Sequence, residues 1–194
     1  MAVNSFMVEL GTPAPDFTLP SAATGELVSL DDFRESAALL VAFLSNHCPY
    51  VRHVEAAFGE LTTRYDKLGL TTVAIGSNDV ENYPEDAPAK LTEQAERAGF
   101  GFAYLYDEGQ DVATAYRAAC TPDLFLYGPA DAEGRRPLAY RGQFDDTRTK
   151  SGKVATGESM AAAIDAVLAG EAVPEPQYPS AGCSIKWKAG KEPA

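Results

Sequence analysis

The chain has 194 residues, of which 28 are acidic and 16 basic, so its formal net charge at pH 7 is -12. Such an acidic surface argues against a nucleic acid partner, because phosphate binding requires clustered lysine and arginine side chains. No apolar run approaches the roughly 20 residues of a membrane span, and the amino end lacks the basic start and apolar core of a signal peptide. We therefore expect a cytoplasmic protein, in which three widely spaced cysteines do not predict a disulfide framework.

The first part of the chain contains a hairpin and then alternates between strand and helix patterns. An N-terminal β-hairpin is predicted around Gly25, with residues 17–19 in one strand and residues 27–30 in the other. The apolar runs 38–44 and 70–76 each predict a buried strand. Between them, apolar residues recur every three or four positions and predict a helix of about five turns. These residues are Val51, Val54, Phe58, Leu61, Tyr65 and Leu68.

The alternation continues to residue 168 and is followed by a tail. The predicted elements are a polar loop at 78–87, a helix from Pro88, a strand at 103–106, a short helix at 112–119, strands at 123–127 and 138–141, a polar loop at 143–157 and a helix at 160–168. This order predicts an α/β fold, a mixed central sheet with helices on both faces. We expect residues 1–170 to form this domain. Residues 171–194 are expected to form a C-terminal tail that packs partly on it, because disordered tails rarely need apolar side chains such as Tyr178, Cys183, Ile185 and Trp187.

The segment Ser45-Asn46-His47-Cys48-Pro49-Tyr50-Val51 joins the first buried strand to the first helix. Proline suits the first turn of a helix, so Pro49 places Cys48 at the amino end. Pro49 also removes one N–H that could solvate a thiolate, which gives it a secondary tuning role. The unpaired N–H groups of Tyr50 and Val51 can accept a thiolate there, and the helix dipole favours its charge. Because the thiolate is the nucleophilic form of cysteine, Cys48 is predicted to be reactive.

The two histidines of the chain both lie near this cysteine. A protonated His47 would stabilise the Cys48 thiolate, whereas a neutral His47 could relay a proton. His53 lies five positions into the helix and faces a different direction, so its role is expected to be smaller. The acidic stretches 78–86 and 145–146 are interpreted as solvated turns.

Several motifs carry a resemblance to the thioredoxin superfamily. They are the Pro-punctuated segment 11–19, the strand-to-helix junction at Cys48, and the motif Cys120-Thr121-Pro122-Asp123-Leu124-Phe125-Leu126. Over about residues 9–170 the chain resembles the peroxiredoxin-like branch, the alkyl-hydroperoxide-reductase/thiol-specific-antioxidant group. The tail segment 182–188 is similar to that of one peroxiredoxin-like subgroup.

The resemblance implies a thioredoxin-like fold and a role for each matched residue. Cys48 corresponds to the first, attacking cysteine of the thioredoxin pair. Pro122, preceded by Thr121, corresponds to the cis-proline that faces this cysteine, so both residues are expected to tune the thiol or bind substrate. Thioredoxins carry a second cysteine where this chain has Val51. A Cys-x-x-Cys disulfide is therefore impossible here.

The chain also departs from the peroxiredoxin pattern around its reactive cysteine. Ser45 matches the hydroxyl position three residues before the cysteine, but Val41 stands where the proline is expected. Pro122 occupies the usual place of the arginine that orients the peroxide. Arg52, one helical turn beyond the cysteine, is the predicted substitute, and Arg141 is a remoter candidate. Ser45 thus favours a peroxide substrate, whereas the missing arginine favours disulfide exchange.

Two cysteines compete for the role of the resolving thiol. Cys120 lies two residues before Pro122, in a segment that passes close to the attacking cysteine in thioredoxin-like folds. Cys183 lies in the tail, and a mobile tail is a common means of delivering a second thiol. Both alternatives stay open, because a disulfide requires Cα atoms about 4.4–6.8 Å apart and sequence cannot establish that distance.

The leading functional hypothesis is a thiol oxidoreductase that reduces a peroxide or a disulfide without a cofactor. A dithiol reductant such as a thioredoxin would regenerate it, and the family relationship adds the expectation of a homodimer. One alternative is a Cu(I)- or Zn-binding protein, with His47, Cys48 and His53 joined by Cys120 or Cys183 as ligands. Another is a thioredoxin-fold module that binds a partner and catalyses nothing.

Overall fold

The computed structural model describes residues 2–149 and 151–192; Met1, Lys150, Pro193 and Ala194, which the expected domain and tail ranges include, lie outside the described residues. The strands are β1 (Ala2–Asn4), β2 (Thr18–Pro20), β3 (Leu27–Ser29), β4 (Ala38–Phe43), β5 (Leu70–Gly76), β6 (Ala103–Tyr106), β7 (Cys120–Thr121), β8 (Asp123–Tyr127), β9 (Leu138–Arg141) and β10 (Ala181–Ser184). The helices are α1 (Pro49–Asp66), α2 (Pro88–Ala98), α3 (Asp111–Ala115) and α4 (Glu158–Leu168), with 3₁₀ turns at Leu30–Phe33 and Pro84–Asp86. Among these helices of the described chain, none is both long and apolar enough to cross a membrane.

A five-stranded sheet in the order β6-β5-β4-β8-β9 forms the centre of the fold. Strand β4 pairs in parallel with β5 and antiparallel with β8, so Val41 lies between Val73 and Phe125. Strand β6 continues the parallel part, and β9 continues the antiparallel part. Every residue of β4 is buried, as expected for a central strand covered on both faces. The sheet is therefore mixed, as predicted.

Alternate side chains of β4 enter two separate apolar cores. Leu40 and Ala42 face a core that includes the buried sides of α1, α2 and α4. Leu39, Val41 and Phe43 face the opposite core, formed with the β2–β3 hairpin and α3. The period of two along a strand explains this division. Helices cover both faces of the sheet, which confirms the predicted α/β fold class.

Helices α1 and α3 are shorter than the sequence patterns predict. Helix α1 ends at Asp66, and Leu68, the last member of the predicted apolar stripe, is 61% exposed. Helix α3 ends at Ala115 instead of continuing to residue 119, because Arg117 takes a φ of 53° that a right-handed helix cannot accommodate. The chain then turns directly into β7.

The C-terminal tail contributes a strand to a second, three-stranded sheet in the order β1-β10-β7. Strand β10 runs antiparallel to β7, with Cys183 opposite Thr121 and Ser184 opposite Cys120. Its approach is close at Gly182, because a Cβ built there would lie 2.1 Å from the Thr121 carbonyl oxygen. The tail is thereby held against the segment that precedes Pro122.

Candidate active site

Cys48 lies between the end of β4 and the start of α1, as its sequence context predicts. It is the N-cap residue of α1, followed by Pro49 in the first turn, and its side chain is fully buried. The Cys48 thiol donates a hydrogen bond to the carbonyl oxygen of Thr121, over 3.1 Å. Among the described residues none donates a helix-capping bond to the sulfur. The expected contacts with the N–H groups of Tyr50 and Val51 are therefore absent, because the thiol is turned toward β7.

The Thr121–Pro122 peptide bond is cis, and this segment faces the reactive cysteine as the resemblance implied. A cleft beside Pro122 is lined by the first turns of α1 and by the loop after β9. Its polar lining includes His53 and Thr147, whose side chains hydrogen-bond over 2.8 Å. His53 therefore belongs to the rim of this cleft and interacts with the loop. The cleft offers a substrate a route toward the cis-proline segment.

Cys183 packs against the apolar cluster that contains Cys48. It lies opposite Thr121 in the β7–β10 pair, and Thr121 is the residue whose carbonyl accepts the Cys48 thiol. Cys48 belongs to the buried part of this cluster, whereas Cys183 lies at its edge and is partly exposed. Burial raises the pKa of Cys183 to about 11, and the nearby Cys48 adds to this shift, whereas the Lys186 ammonium opposes it. The two thiols thus occupy one microenvironment.

Cys120 occupies a different environment, although it is close in sequence to Pro122. It pairs with Ser184, so its side chain leaves the β7–β10 pair on the face opposite to Cys183. The Cys120 thiol is fully buried and donates to the carbonyl oxygen of Pro122 over 3.4 Å. Burial, and secondarily the Asp123 carboxyl, raises the pKa of Cys120 far above its usual value.

Asp86 organises the loop before Cys48, and sequence analysis missed this residue. Its carboxylate is 2% exposed and accepts hydrogen bonds from the Ser45 hydroxyl, the Asn46 backbone N–H and both the backbone and the ring of His47. Burial opposes its ionisation, but the hydrogen bonds from His47 and Asn78 outweigh burial and lower the pKa of Asp86. Interpreting residues 78–86 as a solvated turn was wrong for Asn78, Asp79 and Asp86, which are all buried. The 3₁₀ turn folds the Asp86 carboxylate back under the loop before Cys48.

These contacts change the expected roles of the predicted polar residues. The Ser45 hydroxyl donates to Asp86 over 3.0 Å, so its proton is not directed at a substrate. The His47 ring bonds Asp86 through Nδ1 over 2.7 Å and stacks on Tyr83, and it does not simply face solvent. Arg52 is exposed, and its Nε donates over 2.7 Å to the backbone carbonyl of Asn46. In this arrangement Arg52 supports the loop and does not point at the thiol.

The remaining candidates are also engaged in structural contacts. Arg141 donates to the Val8 carbonyl and to the Gln177 side chain, on the tail side of the sheet. Asp145 is buried, contrary to its interpretation as a solvated residue, because it accepts N–H bonds at the start of α4, including that of Gly157. Over residues 2–149 and 151–192 no group of three His, Cys, Asp or Glu side chains is arranged to hold a metal ion.

Comparison with known proteins assigns the chain to a family. The model of the AhpC/TSA family matches residues 10–144. This chain belongs to the AhpC/TSA family. The match confirms the predicted resemblance to the peroxiredoxin-like branch of the thioredoxin superfamily and indicates a thiol-dependent redox function in general.

Two solved structures resemble this AhpC/TSA protein over nearly its whole length. A hypothetical protein from Sinorhizobium meliloti is 48% identical, with a TM-score of 0.91, and the match covers 96% of this chain and 99% of that one. An uncharacterized conserved protein from Geobacillus kaustophilus is 47% identical, with a TM-score of 0.92, and the match covers 98% of both chains. These similarities include the tail that carries Cys183.

More distant structures share the fold alone. A thioredoxin-family thiol:disulfide interchange protein from Chlorobium tepidum is 16% identical, with a TM-score of 0.58 over 82% of this chain and 98% of that one. A secreted Mycobacterium tuberculosis disulfide oxidoreductase is 12% identical, with a TM-score of 0.56 over 77% and 95%. A search of curated proteins found no match.

Proposed function

We propose that this protein is a two-cysteine thiol oxidoreductase in which Cys48 attacks the substrate and Cys183 resolves the product. The observation that supports the proposal is that both cysteines meet the same residue at the amino end of α1: the Thr121 carbonyl accepts the Cys48 thiol, and Cys183 lies opposite Thr121 in the β7–β10 pair. A thiol at a helix amino end is well placed for nucleophilic chemistry. A second thiol on the strand that pairs with Thr121 is well placed to form a disulfide with Cys48.

Disulfide exchange is the reaction that the surroundings of Cys48 support best. The Cys48 thiolate attacks one sulfur of a disulfide, so that a mixed disulfide forms and one thiolate leaves. The Cys183 thiolate then attacks the Cys48 sulfur and expels the second thiolate. The two protons of the protein thiols end on the two released thiols. A dithiol reductant such as a thioredoxin, which shares the cytoplasm in our proposal, restores both cysteines and is itself oxidised.

The hydrogen-bond donors that peroxide reduction needs are already engaged, which favours a disulfide over a peroxide. The Ser45 hydroxyl donates to Asp86, and Arg52 donates to the Asn46 carbonyl. Peroxide remains the second candidate because Cys48 is fully buried, so a small molecule reaches it with less displacement of the tail. In that case Cys48 takes one oxygen from the peroxide, an alcohol or water leaves, and Cys183 condenses with the sulfenic acid to release water.

Cys183 is preferred to Cys120 as the resolving thiol for geometric reasons. Cys183 packs against the cluster that contains Cys48, whereas Cys120 faces the other side of the β7–β10 pair. Cys183 is also partly exposed, so an external dithiol can attack its sulfur once the disulfide has formed. The fully buried Cys120 offers no such access.

Single-turnover oxidation tests the proposal. The reduced protein is mixed with oxidised glutathione or with hydrogen peroxide, quenched with an alkylating reagent at increasing times, and analysed for free Cys48 by mass spectrometry. We expect Cys48 to be consumed by both oxidants and faster by the disulfide, with Cys183→Ser stopping at a mixed disulfide. Cys48 that stays reduced with both oxidants, while Cys120 or Cys183 reacts, would refute the assignment and favour the non-catalytic alternative.

A further inference from the structure

A buried polar connection joins the loop before Cys48 to the tail that carries Cys183. Its central residue is Asn78, which is 5% exposed and lies just beyond β5. The Asn78 amide nitrogen donates to Asp86 over 2.6 Å, and its amide oxygen accepts the backbone N–H of Lys186 over 2.8 Å. This one buried side chain therefore bonds both Asp86, which supports the loop before Cys48, and Lys186, which belongs to the tail that carries Cys183.

The Asp86 end of this connection reaches the residues immediately before Cys48. The Asp86 carboxylate accepts the Asn46 N–H over 2.6 Å and the His47 ring nitrogen over 2.7 Å. Charge-assisted hydrogen bonds of this length are among the stronger ones in proteins. Any shift of Asp86 relative to the sheet therefore moves the backbone that positions the Cys48 sulfur.

The Lys186 end reaches the residues immediately after Cys183. Besides the bond to Asn78, the Lys186 carbonyl accepts the Asp79 backbone N–H and the Gln110 amide, each over 2.8 Å. Gln110 also accepts the N–H of Lys188 over 2.7 Å. The tail beyond β10 is therefore fixed by polar side chains and backbone at the carboxyl edge of the central sheet, three to five residues after Cys183.

We propose that Asn78 is a positioning residue for the thiol pair, which couples the Cys48 loop through Asp86 to the Cys183 tail and so sets how readily the two sulfurs form a disulfide. The proposal deepens the proposed function and rests on it. The Asn78 side chain hydrogen-bonds Asp86 and Lys186, which flank the thiol pair. It acts by keeping the two supporting segments in register, which raises the effective concentration of one thiol at the other.

A redox titration of the folded protein tests this role. Reduced protein is equilibrated with mixtures of oxidised and reduced glutathione, in which one oxidised glutathione accepts two electrons and becomes two glutathione thiols as the protein disulfide forms. The equilibrium constant gives the effective concentration of Cys183 at Cys48. We expect Asn78→Ala to lower this constant tenfold or more. Asn82→Ala is the matched control, because within the described part of the chain its side chain bonds the Asp79 carboxylate, over 2.6 Å, and not the Asp79 backbone N–H that holds Lys186, so the constant should stay unchanged.

The glutathione titration distinguishes a failure of the positioning role of Asn78 from a failure of the proposed function. A wild-type protein that forms no Cys48–Cys183 disulfide at any glutathione ratio would overturn both. A wild-type disulfide with equal constants for Asn78→Ala and Asn82→Ala would overturn the positioning role alone. Thermal unfolding shows whether Asn78→Ala folds; if it does not, Asn78→Ser, which keeps a polar group but is one atom shorter, is titrated in its place with the same expected decrease. A purely structural role would lower stability and leave the constant of the folded protein unchanged.

Discussion

The contact between Gly182 and the Thr121 carbonyl makes a demanding prediction about the tail. In Gly182→Ala the new Cβ would lie 2.1 Å from the Thr121 oxygen and 2.7 Å from its carbonyl carbon, whereas side-chain Cβ atoms essentially never come closer than 3.0 Å to a heavy atom. Both opposing atoms belong to the backbone next to a cis-proline, so no flexible side chain can yield. The strands β7 and β10 must therefore separate by at least the difference between 2.1 Å and 3.0 Å.

Overpacking of this kind typically costs about 1–3 kcal/mol, and we expect Gly182→Ala to lower the free energy of unfolding by that amount. Gly101→Ala is the matched control, because a Cβ there meets nothing within 4 Å. The control should be neutral or stabilised by about 0.4–1 kcal/mol, since alanine restricts the unfolded chain. Urea unfolding of both variants in the reduced state measures the difference.

The same displacement moves Cys183 relative to Cys48, so disulfide formation should also slow in Gly182→Ala. Quenched alkylation after addition of oxidised glutathione measures the rate of disulfide formation in both alanine variants. Gly101→Ala should form the disulfide as fast as the wild type. Equal unfolding free energies and equal oxidation rates for the two alanine variants would refute the close packing of the tail against β7.

Three further predictions concern residues away from the thiol pair. Burial raises the pKa of Asp123 from its ordinary value of 3.8 to about 7. Between these two pH values the folded state keeps a proton that the unfolded chain has released. The free energy of unfolding should therefore fall as pH rises through this range, by up to about 1.4 kcal/mol per pH unit. Asp123→Asn should flatten that slope in urea unfolding at pH 5, 6 and 7, and an unchanged slope would contradict the shift. Gly59→Ala places a Cβ 2.2 Å from the Ala98 carbonyl oxygen, where α1 crosses α2. We expect this variant to lower the free energy of unfolding by about 1–3 kcal/mol. An unchanged melting temperature would show that the two helices can separate freely. Cys120→Ala should form the Cys48–Cys183 disulfide at a rate within twofold of the wild type in the quenched assay, whereas a variant that stops at the mixed disulfide of Cys48 and glutathione would reassign the resolving thiol.

The central sheet and the reactive junction could be predicted because their signals are local. Strand β4 is a continuous apolar run, β5 is apolar apart from Thr71 and Thr72, and the apolar residues of α1 recur at helical spacing. The proline after Cys48 placed the helix start at the observed residue. Such patterns depend on burial and backbone geometry within a few neighbouring residues, so sequence alone contains them.

The parts that escaped prediction depend on contacts between distant segments. Strand β10 pairs with β1, at the other end of the sequence, and with β7. Nothing in residues 181–184 resembles a strand pattern. Asp86 could be placed at the carboxyl edge of the sheet, but its burial depends on the turn that brings it under Ser45, about 40 residues away in sequence. The choice between Cys120 and Cys183 likewise required the β7–β10 register.

The most direct test of the central claim is to identify the partner of Cys48 in the oxidised protein. Reduced protein is treated with an equimolar amount of oxidised glutathione, alkylated, digested without reductant and mapped by mass spectrometry, with hydrogen peroxide as a parallel oxidant. The account predicts a peptide pair linked by Cys48 and Cys183, with Cys120 recovered as an alkylated thiol. A Cys48–Cys120 linkage, or a Cys48 that is alkylated and unlinked under both oxidants, would contradict it.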